Sequence, residues 1–210
     1  MGKLLYIQAS PMAELSYSIA VAGAFVDEYR RLHPGDAVAT LNVCDADLPA
    51  FGAAAARGKY AIMHGRPHSA AERAAWEAVE KVIAEFKSAD KYVLAVPMWN
   101  FGIPYRLKQY FDLIVQPTYT FSFDPATGYT GLVTGRPAFV AYARGGEYPE
   151  GSPAAGMDHQ KPYVDMILRF MGITDIRSVV IEPTLMAGPD VAAAKRKDAV
   201  EQARQMARQF

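Results

Sequence analysis

Cysteine is almost absent from this chain. Cys44 alone among 210 residues rules out an internal disulfide framework and fits a reducing compartment, and no surrounding pattern marks it as a nucleophile. An excess of one charge is missing too: 22 Lys and Arg stand against 22 Asp and Glu, so nothing in the balance points to nucleic acid or an anionic membrane. His33, His64, His68 and His159 are scattered without ligand spacing, and no metal site is expected. No apolar run approaches the ~20 residues of a membrane span, and Met1-Gly2-Lys3 enters an apolar segment with no cleavage pattern, so a cytoplasmic protein is expected. Repeats and low-complexity segments are lacking. Neither G-x-G-x-x-G nor the Walker lysine motif occurs, which removes the dinucleotide-fingerprint and P-loop readings.

What is present is enough apolar residue for one sizeable domain spanning 1–210. Strand and helix patterns alternate along it. The strands read as Lys3–Gln8, Ala37–Val43, Tyr92–Val96, Arg136–Tyr142 and Asp175–Glu182. Between them, helical spacing groups Ala22, Phe25, Val26, Tyr29 and Leu32, then Trp76, Val79, Ile83 and Phe86 behind a Ser69-x-x-Glu72 capping box. Leu107, Tyr110, Phe111 and Ile114 follow, with Pro104 at the first helical position. Val164, Ile167, Leu168 and Met171 come after Pro162 with Gly172 as stop, and a last helix begins near Asp190. Its Lys195-Arg196-Lys197 run reads as a solvated face. Residues 44–67 read as a long irregular segment, and Tyr119–Tyr129, aromatic at every second position before an Asp-Pro-x-x-Gly turn, reads as a hairpin-like excursion.

Three loops are unusual. After the first strand, Ser10, Ser16 and Ser18 offer hydroxyls at the start of a helix, where free N–H groups and a partial positive charge favour a phosphate; helix capping by one of these serines explains the loop equally well. After the third strand, Met98-Trp99-Asn100-Phe101 forms a tight aromatic connection. After the fourth, Ala143-Arg144-Gly145-Gly146 permits close backbone approach. Five alternations imply a parallel sheet covered on both sides, a three-layer α/β/α sandwich. In the flavodoxin-like order 2-1-3-4-5 those three strand ends meet at the switch point, where FMN binds in that fold. Hydroxyls, aromatics and a diglycine on one edge suit a phosphorylated planar cofactor.

The assembled motifs make a resemblance specific. Ser10-Pro11 with Ser16-Tyr17-Ser18, Pro97-Met98-Trp99-Asn100-Phe101, Leu107–Asp112, Gly131–Gly135, Arg144-Gly145-Gly146 and Phe170–Asp175 occur in the order found in FMN-dependent NADH-azoreductases, also described as NAD(P)H:quinone oxidoreductases. The chain resembles that family over nearly its whole length. The resemblance implies a flavodoxin-like fold, one non-covalent FMN per subunit, and a homodimer with active sites at the subunit interface. It also implies hydride transfer from NADH or NADPH to flavin, and from flavin to quinones or azo compounds, by a ping-pong route. By motif, Ser10, Ser16, Tyr17 and Ser18 hold the phosphate; Met98, Trp99, Asn100 and Phe101 lie along the isoalloxazine; Ala143, Arg144, Gly145 and Gly146 complete its far edge. No side chain is required as acid or base. Trp99, Asn100, Tyr119 and Phe121 are the candidates for the substrate slot. Trp99 stands where the family often has tyrosine, and Ala143 where it often has serine. The alternative is a flavodoxin-like FMN-binding electron carrier with no NAD(P)H oxidation of its own, since fold alone does not fix function.

Overall fold

Apolar runs that are buried on both faces can only be central strands, and two such runs sit in the middle of the sheet. The computed structural model describes residues 1–210. In chain order the elements are β1 (Lys3–Gln8), α1 (Tyr17–Leu32), β2 (Ala37–Asn42), α2 (Ala53–Met63), α3 (Ala70–Lys87), β3 (Lys91–Pro97) and α4 (Tyr105–Ile114). Then come β4 (Phe121–Asp124), β5 (Gly128–Gly131), β6 (Ala138–Ala143), α5 (Lys161–Phe170), β7 (Ile176–Ile181) and α6 (Pro189–Ala207). The main sheet is parallel with order β2-β1-β3-β6-β7, the expected 2-1-3-4-5 once the β4–β5 hairpin is set aside. Tyr92–Val96 and all of β6 are buried, whereas edge strand β2 has no buried residue.

Successive strand residues point to opposite faces, and the core divides accordingly. Leu5, Ile7, Leu94, Val96, Val140 and Tyr142 face α4 and α5, joining Leu107, Phe111, Val164 and Leu168. Leu4, Tyr6, Val93, Ala95, Phe139 and Ala141 face α1 and α6, joining Phe25, Val26, Tyr29, Ala199 and Ala203. Each large side chain withdrawn from water contributes about 1.5–3 kcal/mol. Phe25 stacked on Phe139 at 4.2 Å adds about 0.5–1.5 kcal/mol more. No helix is long and apolar enough to cross a membrane.

The capping box forms: the Ser69 hydroxyl accepts from the Glu72 amide at 3.2 Å, and the Glu72 carboxylate accepts from the Ser69 amide at 2.9 Å. That amide, with Arg57 beside it, pulls the Glu72 carboxyl down to about 2.

Residues 44–67 are not irregular throughout, because Ala53–Met63 is helix α2. Alanine-rich sequence carries little amphipathic signal, yet it allows close packing: a Cβ on Gly58 would overlap the Glu72 carbonyl of α3. Leu32 is 37% exposed rather than part of the α1 core face, at the last residue of the helix. Pro104 is the N-cap of α4, extended at ψ 141°, and the helix begins one residue later.

Tyr119–Tyr129 does contain a hairpin, with β4 and β5 antiparallel. It is pinned to the end of α5 backbone against backbone, because a Cβ on Gly131 would overlap Gly172, itself at φ +103°, and the Val133 amide donates to the Met171 carbonyl at 2.8 Å. Gly131→Ala is therefore expected to cost about 1–3 kcal/mol by overpacking, read as a lower urea midpoint with unchanged slope. A variant as stable as the parent would show that this seam has slack.

Candidate active site

The sheet order fixes the site before any side chain is considered. β1, β3 and β6 are adjacent, with Gln8 opposite Ala95 and Pro97 opposite Ala143, so the loops that follow them meet on one edge. Between them lies a groove of about 250 Å³. Ser10, Ser16 and Tyr17 line one end, Pro97, Met98 and Trp99 one wall, and Ala143 and Gly145 the other.

Ser16 is the N-cap of α1, its hydroxyl accepting from the Ile19 amide at 3.3 Å, so the capping role is real. It does not exhaust the residue. Ser16 Oγ lies 3.1 Å from Ser18 Oγ, and one of their two protons bridges them while the other remains to be donated. Ser10 is buried, and its oxygen accepts weakly from the Met12 amide at 3.4 Å with its own proton unused. The amides of Tyr17 and Ser18 lie in the first turn, where a helix supplies no partner. Two free hydroxyl protons and two free amides, with no carboxylate on the groove, form a donor set that fits a phosphate.

The aromatic connection is a hairpin turn. Trp99 and Gly102 exchange hydrogen bonds of 3.0 and 2.9 Å across Asn100 at φ 47° and Phe101 at φ 68°, the geometry of a type I′ turn. Asparagine accepts that backbone readily and phenylalanine does not, so about 1–3 kcal/mol of strain is held in the turn. The Phe101 carbonyl accepts from the His159 amide at 2.9 Å, and its ring meets Tyr148 edge-on. Trp99 and Phe101 are 38% and 47% exposed. Asn100, Phe101, Gly145 and Gly146 donate their amide protons to no protein acceptor.

Arg144 turns inward. Its guanidinium, 3% exposed, donates to Asp158 at 2.6 Å, Gln160 at 2.9 Å and Glu182 at 3.2 Å. Its backbone is occupied as well, by Ile181 and Thr184. The Arg144 side chain therefore faces away from the groove and supports the loop that carries Gly145. Tyr119 and Phe121 line neither the groove nor its neighbour in this chain: Tyr119 meets Trp76 edge-on and donates to Glu80, and Phe121 packs 4.7 Å from Phe170. The exposed rings of the hairpin are Phe123 and Tyr129. Gly146 sits under Met186 and Tyr148, off the groove.

A second cavity of about 780 Å³ adjoins at Trp99, bounded by Phe51, Asn100, Tyr105, Lys108 and Gln109. Asp112 holds the Lys108 ammonium at 2.6 Å and raises its pKa, so it stays charged. Sequence reading missed the contributions of Met12, Leu15, Thr184 and Leu185 to the groove. The last two follow β7, and the rule that ligands gather at the carboxyl ends of parallel strands could have found them.

A family model described as flavodoxin-like fold matches residues 2–207. An FMN-dependent NADH:quinone oxidoreductase of Nitratidesulfovibrio vulgaris is 59% identical over the whole of both chains. The chain belongs to the FMN-dependent NADH:quinone oxidoreductase family. Among solved structures, an azoreductase from Bacillus anthracis str. Sterne superposes with a TM-score of 0.92 at 32% identity, covering 100% of both chains. An FMN-dependent NADH-azoreductase from Bacillus anthracis str. Ames Ancestor in complex with FMN gives 0.87 at 29% identity, covering 99% of this chain and 100% of that one. Within an FMN-dependent NADH:quinone oxidoreductase, the planar wall and hydroxyl end of this groove suit that cofactor.

Removing Arg144 leaves two carboxylates facing a buried gap. Arg144→Ala is expected to lower unfolding free energy by roughly 3 kcal/mol, the low end of the usual range because Glu182 keeps contact with solvent. Arg144→Lys should recover little of it, since an ammonium cannot span three acceptors as a fork does. Full stability of the alanine variant in urea would remove the support role.

Proposed function

We propose that the chain is an FMN-dependent NADH:quinone oxidoreductase that reduces quinones by two electrons and reductively cleaves azo compounds, the donor leaving before the acceptor binds. The observation carrying this is the groove itself, an uncharged phosphate-accepting end running into a rigid aromatic wall at the β1–β3 switch point. Ser10, Ser16 and Ser18, with the Tyr17 and Ser18 amides, would hold the phosphate. Met98, Trp99, Asn100 and Phe101 would lie along the isoalloxazine, and Ala143 and Gly145 would close the far edge over Arg144.

FMN held there would supply hydride transfer between NADH or NADPH and the acceptor. The protein's part is orientation, exclusion of water and polarisation. The Asn100–Phe101 turn presents rings and free amides without needing to move. Met98, Leu15 and Leu185 keep the groove walls apolar. Gly145 offers an unpaired N–H group that favours negative charge on a neighbouring ring. No acid or base on the chain is needed.

The subunit arrangement belongs to the same reading: a homodimer, in a cytoplasmic setting that a single reduced cysteine suits. Phe123 and Tyr129 on the hairpin, with Phe51, Trp99 and Tyr105 around the larger cavity, are exposed apolar surface of the kind a second subunit covers. The electron-carrier alternative differs in one measurable respect, because a carrier is not bleached by NADH alone.

FMN should bind far more tightly than riboflavin. Ser18→Ala, which spares the Ser16 cap, should weaken FMN by roughly ten-fold or more while leaving riboflavin unchanged. Equal affinity for the two flavins in the parent would reject the phosphate assignment. Because one exposed face must serve both substrates, initial rates with NADH and a benzoquinone should give parallel double-reciprocal lines; intersecting lines would require a ternary complex. Light scattering should report twice the chain mass, and a monomer at full activity would end the dimer proposal.

A further inference from the structure

The groove is built for a dianion yet holds no cation, since none of its lining residues is charged. Hydroxyls and amides can orient a phosphate, but each carries only a partial charge. The whole balance near that end therefore depends on what lies just behind it.

Behind it lies the start of α6. α1 and α6 pack side by side on one face of the sheet, with Arg208, the residue that caps the end of α6, paired to Glu28 of α1 at 3.0 Å. About three turns toward the amino end of each helix, equal rise brings Arg196 level with Tyr17. The Arg196 guanidinium is centred 5.9 Å from the Tyr17 ring. Tyr17 is a partition: it lines the groove on one side and, on the other, a cavity of about 580 Å³ shared with Arg196, Lys197, Asp198, Glu201 and Arg204. Arg204 is engaged with Glu201 at 3.9 Å, while Arg196 takes part in no ion pair. Asp198 and Glu201 share that cavity but neither pairs with Arg196, so its guanidinium is held over the Tyr17 face and remains open to a further anion.

We propose that Arg196 is the counter-charge for the cofactor phosphate, kept at the amino end of α1 by stacking on Tyr17. It is a positioning residue, acting through space across the Tyr17 ring rather than touching the ligand. The inference rests on the assignment of the Ser10–Ser18 end to the phosphate. It also gives the Lys195-Arg196-Lys197 run a task for its middle member that a solvated face would not have.

The test separates charge from packing. Full-length protein loaded with FMN, or with riboflavin, is serially diluted, and release is followed by the rise in flavin fluorescence at low salt and near 0.5 M. At low salt Arg196→Gln should weaken FMN by about three- to ten-fold and leave riboflavin unchanged; Arg196→Lys should stay within about two-fold of the parent, and the FMN difference should shrink in high salt as screening takes over. Lys195→Gln removes the same charge from the same helix but from outside the cavity, and should change FMN by less than about two-fold. Equal weakening of FMN and riboflavin by Arg196→Gln would show that the residue only packs Tyr17. Equal effects of Arg196→Gln and Lys195→Gln would reduce the role to bulk field, and an unchanged FMN constant would remove it; each overturns the proposal. If the parent itself fails to prefer FMN over riboflavin, the phosphate assignment falls and takes this inference with it.

Discussion

The groove depends on a guanidinium that never reaches it. Arg144 stands at the end of β6 and gathers Asp158 and Gln160 from the segment leading into α5 and Glu182 from the end of β7. Gln160 then donates to the Val96 carbonyl of β3 at 2.9 Å, so one buried cluster joins three neighbouring strand ends. Taking an arginine and two acids out of water is costly, and in the interior such a group is tolerated only when its fork is filled. Here it is filled by two carboxylates and an amide oxygen, which fixes the position of the Gly145 and Met98 backbones relative to each other.

What remains is set by the sheet. Its strand order brings β1, β3 and β6 together, and the two apolar faces hold them there, so three loops from distant parts of the sequence share one edge. The helices add direction. α1 supplies a polarised end with unused amides, and α6, running beside it, places its own first turns at the same level.

Regular elements were readable because their signal is repeated: five apolar runs, four helical faces and a capping box each involve several residues, so a local exception such as Leu32 does not spoil the pattern. The meeting of the three loops on one edge was readable for a related reason, as loop placement follows from strand order. Orientation of individual side chains was not. Arg144 sits beside two glycines on the correct loop, and only the three acceptors that converge from sequence-distant segments turn it inward. Tyr119 and Phe121 carry the same alternation whether they face a partner or their own helices, and within the chain they meet Trp76 and Phe170. α2 escaped because small residues that permit tight helix contact also erase the hydrophobic stripe that announces a helix.

The left-handed turn at Asn100 and Phe101 has a consequence for the pace of encounter. A recognition loop that must fold around its ligand makes association wait on a rare conformation and spends part of the contact energy on ordering. This turn is already closed by its own paired bonds and tied down through His159, with two rings standing in solvent. A planar molecule arriving at this turn meets rings and backbone already in place, so ordering of the turn does not slow its capture.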